Sequence, residues 1–557
     1  MVVILRKHVL FFLFFLIATI GGNLYSLPAQ KILRSGDPVY DALTSLSMEE
    51  AKVFGDGSLI TVAQALQILD SLDRDSLSVQ GSALYDSTLE YLNGDGSFSL
   101  KNDVLSFAVD PALQPEIYYK TNEALPWIYD RYEREPFISL PLRFGLASYV
   151  ALETDVYFGE NRMLSNAHDN YFNFPLDKTI DGVQPIDTNM PKFAYISAGF
   201  PFSKKFGVNF RLGLGDNRAG RTETGSIILS DTMKGTSFAA LSFYSPWIDY
   251  SAEVLQLEVL KYLYLHHFQI QLFNRVNVSL IEGVMVNAPL ELRYFNPAAI
   301  YHGFTAWESY DAYNEQIEGS NDNYHERNSR IGSLLGLYFD LRPWKYGRFY
   351  GLYAMNQFEI PSERENGDST VPDGMAFQAG YEGRFPLGSG YLSFGLEGIY
   401  TYPYMYILAG RGWSYYRESL EVSNPPVREW VGSPFGPDSI AGTVWGGYET
   451  ELWFVKLSYL CLAQGENSSP SIFELPGNEF YSNSREEMEK TSPSGTAALS
   501  HRITVEGSWT PEKWLRVYIR PAYQAVQNYA HQDGRMEQGF ELSLGACFKP
   551  MYLVKKR

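Results

Sequence analysis

The stretch YEGRFPLGSGYLSFGLEGIY (residues 381–400) decides how the rest of the chain is read. Two alternating runs flank a small turn, Pro386-Leu387-Gly388-Ser389-Gly390. Alternation predicts strands, because successive side chains on a strand point to opposite faces. Extending the first run backwards places Met375, Phe377, Ala379, Tyr381, Gly383 and Phe385 on one face. Ala376, Gln378, Gly380, Glu382 and Arg384 take the other. After the turn, Leu392, Phe394, Leu396, Gly398 and Tyr400 share a face opposite Ser393, Gly395, Glu397 and Thr401, with Ile399 the exception. What remains is whether the apolar face meets protein or lipid.

The same pattern recurs from about Pro136 to Tyr552. Ile503, Val505 and Trp509 precede the turn at Thr510-Pro511-Glu512-Lys513, and Leu515, Val517 and Ile519 follow it, with Arg516 and Arg520 opposed. Phe540, Leu542, Leu544, Ala546 and Phe548 alternate with Glu541, Ser543, Gly545 and Cys547. Strands of soluble proteins usually run ~5–6 residues, whereas a tilted transmembrane strand needs ~9–11; these runs match the second. The polar face, rich in Gly, Ser, Gln, Glu and Arg, suits a crowded or wet lumen. Short turns near Ser203, Trp344, Leu387, Leu452 and Glu512 alternate with long polar segments at 159–191, 296–329, 405–439 and 466–496. Outer-membrane barrels pair short periplasmic turns with long external loops in this way. The predicted fold is an all-β transmembrane barrel of about 16–18 antiparallel strands over residues 135–552, with 553–557 as a basic tail. Alternation alone would also fit a secreted β-rich carbohydrate enzyme or lectin.

The N-terminus predicts export. Arg6, Lys7 and His8 precede an apolar run from Val9 to Ile20, too short to span a bilayer and followed by small and turn residues. Residues 1–29 are read as a signal peptide. Residues 30–134 are read as a small α-helical module on the periplasmic side. Its helices carry Asp37-Pro38 as N-cap and first position, Val39, Leu43 and Leu46 at helical spacing, and Thr61 before Ala65, Leu66, Ile68, Leu69 and Leu72. A third candidate carries Leu84, Leu89 and Leu92.

Composition narrows the function. The chain has 557 residues and a formal charge of −19, which excludes a phosphate-reading nucleic-acid binder. Its 40 Tyr residues suit strands and membrane interfaces. Cys461 and Cys547 form no disulfide framework. No HExxH, GxSxG or P-loop motif is present. His266 and His267 would point to opposite strand faces, so a shared metal is not expected. The runs Asn93-Gly94-Asp95-Gly96-Ser97 and Phe54-Gly55-Asp56-Gly57-Ser58 begin like calcium loops but lack the closing Glu, and read as turns. Glu449 and Glu451, about 7 Å apart on one strand face by the strand rise, could serve glycoside chemistry but read better as lumen carboxylates. No cofactor and no metal are expected. The lumen candidates are Glu282, Glu382, Arg384, Glu397, Glu449, Glu451, Arg516 and Arg520.

The long segments supply the ligand candidates. One carries Trp307, Tyr310 and Tyr313; another carries Arg411, Trp413, Tyr415, Tyr416, Arg428 and Trp430. Aromatic faces stack on sugar rings and Arg binds sugar carboxylates. The same rings would equally pack a folded loop or form the interface girdle.

The order of several segments adds a resemblance. YLYLHHFQIQLFNRVNVSLIEGVMV (262–286), ELRYFNPAAIYH (291–302), NSRIGSLLGLYFDLRPWKYGRFYGLYAMNQFEI (328–360), GRTETGSIILSD (220–231) and DGSLITVAQALQIL (56–69) together resemble the capsule assembly protein Wzi family. The likeness spans residues 39–360, and only the strand pattern beyond. It implies an outer-membrane barrel with a helical periplasmic part, associated with capsular polysaccharide. The chain departs from the family in lacking a Trp-Gly-Pro-Gly-type run and in ending on Lys555-Lys556-Arg557 instead of an aromatic residue. The expected function is non-catalytic binding or assembly of surface polysaccharide through external loops. The alternative is a porin or hydrophobic-solute transporter. Expected partners are outer-membrane lipid, polysaccharide and the outer-membrane assembly machinery.

Overall fold

The computed structural model describes residues 29–94, 98–102, 104–130, 133–158, 171–174, 193–203, 205–301, 331–358, 372–408, 411–419, 427–474 and 490–550. Residues 1–28 of the stretch read as a signal peptide, and residues 553–557 read as a basic tail, lie outside these. Antiparallel strands close into an 18-stranded barrel. The stretch that opened the sequence reading forms the hairpin Gly374–Leu387 and Gly390–Thr401, paired from Ala376–Thr401 down to Leu387–Gly390. Phe377, Phe394 and Leu396 are exposed on the outer wall, while Ala376, Gln378, Glu382 and Glu397 are buried inside. The pattern repeats around the ring, with Leu337, Phe339, Val444, Leu457 and Ile519 among the exposed outer residues. A closed ring pairs every strand edge, as a hydrocarbon environment requires.

Closure depends on a bent first strand. Leu105–Val109 and Ala112–Leu113 pair with Ile138–Leu146, and Glu116–Lys120 pairs with the last strand, Met536–Phe548. Pro111 and Pro115 interrupt it, because proline donates no ladder hydrogen bond. Phe98–Lys101 pairs with the first part on its other edge. The barrel therefore begins inside the stretch expected to be helical module, and the helices end by Asn93.

Three helices form as the sequence predicts: α1 Pro38–Glu49, α2 Val62–Asp70 and α3 Val79–Asn93. The Asp37 carboxylate accepts from the Val39 N–H, and Thr61 and Gln64 form a reciprocal capping box. Leu33, Val39, Leu43, Leu46, Ala65 and Leu69 make a small separate core. The module sits at the short-turn end. Tyr346 N–H donates to Met48 O, Val53 N–H to Asn274 O and Lys513 Nζ to Glu90. Residues 147–149, 273–275, 342–346, 388–389 and 513–514 are turns at this end. The opposite end carries the long connections.

Candidate functional site

The lumen is closed from both ends by the protein's own chain. From the long-loop end, residues 216–235 fold inward and place Ile227, Ile228 and Leu229 in the main core with inward-facing Leu334, Tyr338, Leu352 and Ile399. Gly225 turns this segment at φ +107, and a Cβ there would lie 2.6 Å from Ser230 Oγ. Residues 402–408 and 427–438 pack beside it. Tyr406 donates to Ile227 O at 2.6 Å, and the Ser230 N–H donates to Val431 O at 2.8 Å. The crowded lumen expected from the sequence is thus apolar over much of its circumference.

The inward segment reaches the helical module. Arg221 bonds Thr44 and pairs with Asp41 at 2.5 Å, both on α1. Arg218 donates to Gly57 O at 2.5 Å and to Ser35 O at 3.1 Å. A buried charge network surrounds this junction. Glu382 lies between Arg348 (2.7 Å) and Arg384 (2.6 Å), and Arg384 also reaches Asp41 at 2.8 Å. Asp340 pairs with Arg348 at 3.3 Å and Arg342 at 3.5 Å. Burial alone would raise the Asp41 carboxyl, but Arg384 and Arg221 hold it below its ordinary value. Glu397 accepts from the Glu223 and Thr224 N–H groups and from Tyr350 OH at 2.6 Å.

A second dock joins the Asp56 turn to the wall. Asp56 Oδ2 is 2.6 Å from His267 Nε2, and Oδ1 accepts from the Ser58 N–H and hydroxyl. Burial works against its charge, yet His267 and Ser58 bring its carboxyl down to about 2. The turn is therefore a docking element; among the described residues no metal-holding cluster occurs.

The lumen candidates separate clearly. Glu382, Arg384 and Glu397 face inward as expected. Arg520 lies over the Tyr129 ring at 4.1 Å and Arg516 over Tyr518 at 5.6 Å, also inside. Glu449 ends its strand at the short-turn mouth, whereas Glu451 falls in the following turn and shares no strand face with it. Glu282 is a correction. Its neighbours Ile281 and Met285 enter the core, so Glu282 takes the outer face, opposite His266 in register. Tyr301 stacks on His266 at 4.0 Å and Tyr294 on Tyr264 at 4.8 Å, covering that patch of outer wall. His266 and His267 point to opposite sides, as their adjacency predicts. Cys461 and Cys547 are both free.

Among the ligand candidates, Trp307, Tyr310 and Tyr313 lie outside the described residues. Tyr415, Tyr416 and Trp430 are buried in the main core, so their rings serve packing and are unavailable to a surface ligand. Arg411 is exposed, Trp413 half-buried, and Arg411 and Arg428 both pair with Glu418. Sequence reasoning missed Asp41, Arg221, Asp340, Arg342 and Arg348. Of these Arg348 and Asp340 carried a signal, the first in its parity with Tyr350 and Leu352 and the second in its parity with Leu334 and Tyr338 on their strands.

The remaining sector of the lumen is incompletely filled and holds two cavities. A cavity of about 470 Å³ is lined by Tyr129, Arg134, Asp216, Lys234, Arg520 and Glu541 among others. Another of about 730 Å³ lies towards the short-turn mouth, between the module and the wall. Nearby, Glu116 accepts from the hydroxyls of Tyr118 (2.5 Å), Tyr129 (2.9 Å) and Tyr518 (2.6 Å).

No family model and no curated protein matches the chain. Among solved structures it is similar to Wzi of Escherichia coli, described as an outer-membrane protein involved in group 1 capsule assembly and a carbohydrate-binding β-barrel. Identity is 12%, the TM-score is 0.57, and the match covers 93% of this chain and 99% of that one. It is also similar to OprD of Pseudomonas aeruginosa at 11% identity and TM-score 0.38, covering 79% of this chain and 94% of that one. The first likeness is one of fold; the second is too distant to carry an argument.

Proposed function

We propose that this chain is a non-catalytic outer-membrane barrel that binds surface or capsular polysaccharide at its long-loop end, with its helical module in the periplasm. The observation that carries this reading is the double closure of the lumen, where Arg221 of the inward segment meets Asp41 of the module. A permanently open, water-filled porin channel has no use for such a plug, whereas a surface receptor needs only its outer rim. The fold shared with a barrel described as carbohydrate-binding supports the same reading. An apolar outer wall favours lipid as surroundings over a secreted enzyme, and insertion would require the outer-membrane assembly machinery.

Arg411 and Trp413 are the described candidates left to meet a glycan; Trp307, Tyr310 and Tyr313 remain candidates from the sequence alone. A glycan array probed with the folded protein in detergent tests this. Saturable binding to at least one surface polysaccharide is expected, weakened at least tenfold by Arg411→Ala with Trp413→Ala. Absence of binding to every polysaccharide by a folded barrel would reject the reading.

A further inference from the structure

The two cavities lie end to end. The larger starts at the short-turn mouth, beside Glu451, Lys513 and Lys549, and rises along the strands Ile138–Leu146 and Val150–Phe158. The smaller continues to the level of residues 128–129 and 133–136 near the long-loop end. Arg34 and Asp155 line both. At this shared point Arg34 Nη1 is 3.4 Å from Asp155 Oδ2, Nη2 is 3.5 Å from Glu153 Oε1, and the guanidinium lies over the Phe193 ring at 4.0 Å. The Arg34 side chain keeps 39% of its surface exposed.

Arg34 is not part of the wall. It belongs to the module, four residues before α1, and is held there by the Leu33 N–H to Ile60 O and Asp37 N–H to Arg34 O bonds. Asp155, Glu153 and Phe193 belong to the barrel. The contact joins two separately built parts, and its ends differ: Glu153 and Asp155 keep only 7% and 13% of their side-chain surface exposed, so Arg34 is the end that can be withdrawn into solvent.

We propose that a second activity resides here: a narrow hydrated passage for small cations through the unfilled sector of the lumen, closed at its waist by Arg34. The cation preference follows from the lining. Acidic side chains outnumber basic ones along both cavities, and withdrawing Arg34 leaves Glu153 and Asp155 facing each other's space at the waist. With Arg34 withdrawn, acidic side chains outnumber basic ones six to three in the smaller cavity and six to four in the larger, and an excess of one sign of charge draws in the counter-ion. The module is thus a plug whose displacement by a few ångströms, at one side chain, opens the path without unfolding the apolar sector.

Planar-bilayer recording in potassium chloride tests this. The unmodified protein is expected to be silent. Arg34→Ala is expected to give discrete steps with a reversal potential of the cation-selective sign in a salt gradient, and Arg34→Lys to give smaller or rarer ones. In a Cys461→Ser, Cys547→Ser background, Arg34→Cys is expected to conduct until a methanethiosulfonate-ethylammonium reagent reaches the thiol, then to lose most of its current. Asp155→Ala releases the same clamp from the wall side and is expected to conduct as well, should the Arg34 variants fail to fold. Folding is checked by the heat-dependent gel mobility of barrels. Folded Arg34→Ala and Asp155→Ala proteins that stay silent would overturn the proposal. So would anion-selective steps, current unaffected by thiol modification, or steady current through the unmodified chain. Polysaccharide binding is a separate readout, and its loss or retention leaves this result intact.

Discussion

Replacing Asp56 by Asn should loosen the helical module from the barrel. Its carboxylate sits 2.6 Å from His267 Nε2 and accepts two bonds from Ser58, while its backbone N–H donates to Gln269 at 3.0 Å. The carboxyl is held at about 2 against an ordinary 3.8. At ~1.4 kcal/mol per pH unit, that difference is worth about 2–3 kcal/mol of docking free energy. Because the folded value is depressed, the contribution is complete above pH 4 and is lost as pH falls from about 4 towards 2. Hydrogen exchange of α1 and α2 at neutral pH is the assay. The expected result is 30- to 100-fold faster exchange of the module in Asp56→Asn, with barrel strands unchanged. A second signature is a module whose protection, relative to the intrinsic exchange rate at each pH, no longer falls between pH 4 and 2. Unchanged module protection at neutral pH, or a pH response equal to that of the unmodified protein, would refute the argument.

Glu382→Ala leaves Arg348 and Arg384 buried without their shared carboxylate and should cost about 3–5 kcal/mol, read as a lower thermal transition by circular dichroism. Ile228→Ala empties a fully buried position facing Gly336 and should cost about 2–5 kcal/mol, read as faster proteolysis of residues 216–235. Gly225→Ala forces a Cβ onto a backbone at φ +107 and should cost about 1–3 kcal/mol, with the same proteolytic readout. Tyr415→Ala should lower stability and leave glycan affinity within twofold, because the ring is buried in the core; a tenfold loss of affinity in a normally stable variant would contradict that placement.

The barrel was legible because lipid and lumen impose period two on long runs. The faces read at Gly374–Leu387 and Gly390–Thr401 hold residue by residue. The helix starts were legible from Asp37-Pro38 and Thr61 because caps are local chemistry. The first strand was not, since Pro111 and Pro115 break its alternation. Glu282 was misplaced because its charge was read ahead of its parity: Val276, Val278, Leu280, Val284 and Val286 share its outer face, partly under Tyr294 and Tyr301, while Asn277, Ser279, Ile281 and Met285 face the lumen. Loop aromatics such as Tyr415 and Trp430 read alike whether they pack or bind. The plug contacts escaped entirely. Arg221 with Asp41 and Arg34 with Asp155 are separated by more than a hundred residues, and no local pattern marks such pairs.

Bilayer conductance of the unmodified chain is the most direct test of a lumen closed by its own segments. The expected result is a flat trace from protein that is folded by gel mobility, at any holding potential that leaves the bilayer intact. Stable, porin-sized steps from that protein would contradict the account, because residues 216–235 and the helical module could not then occupy the lumen together.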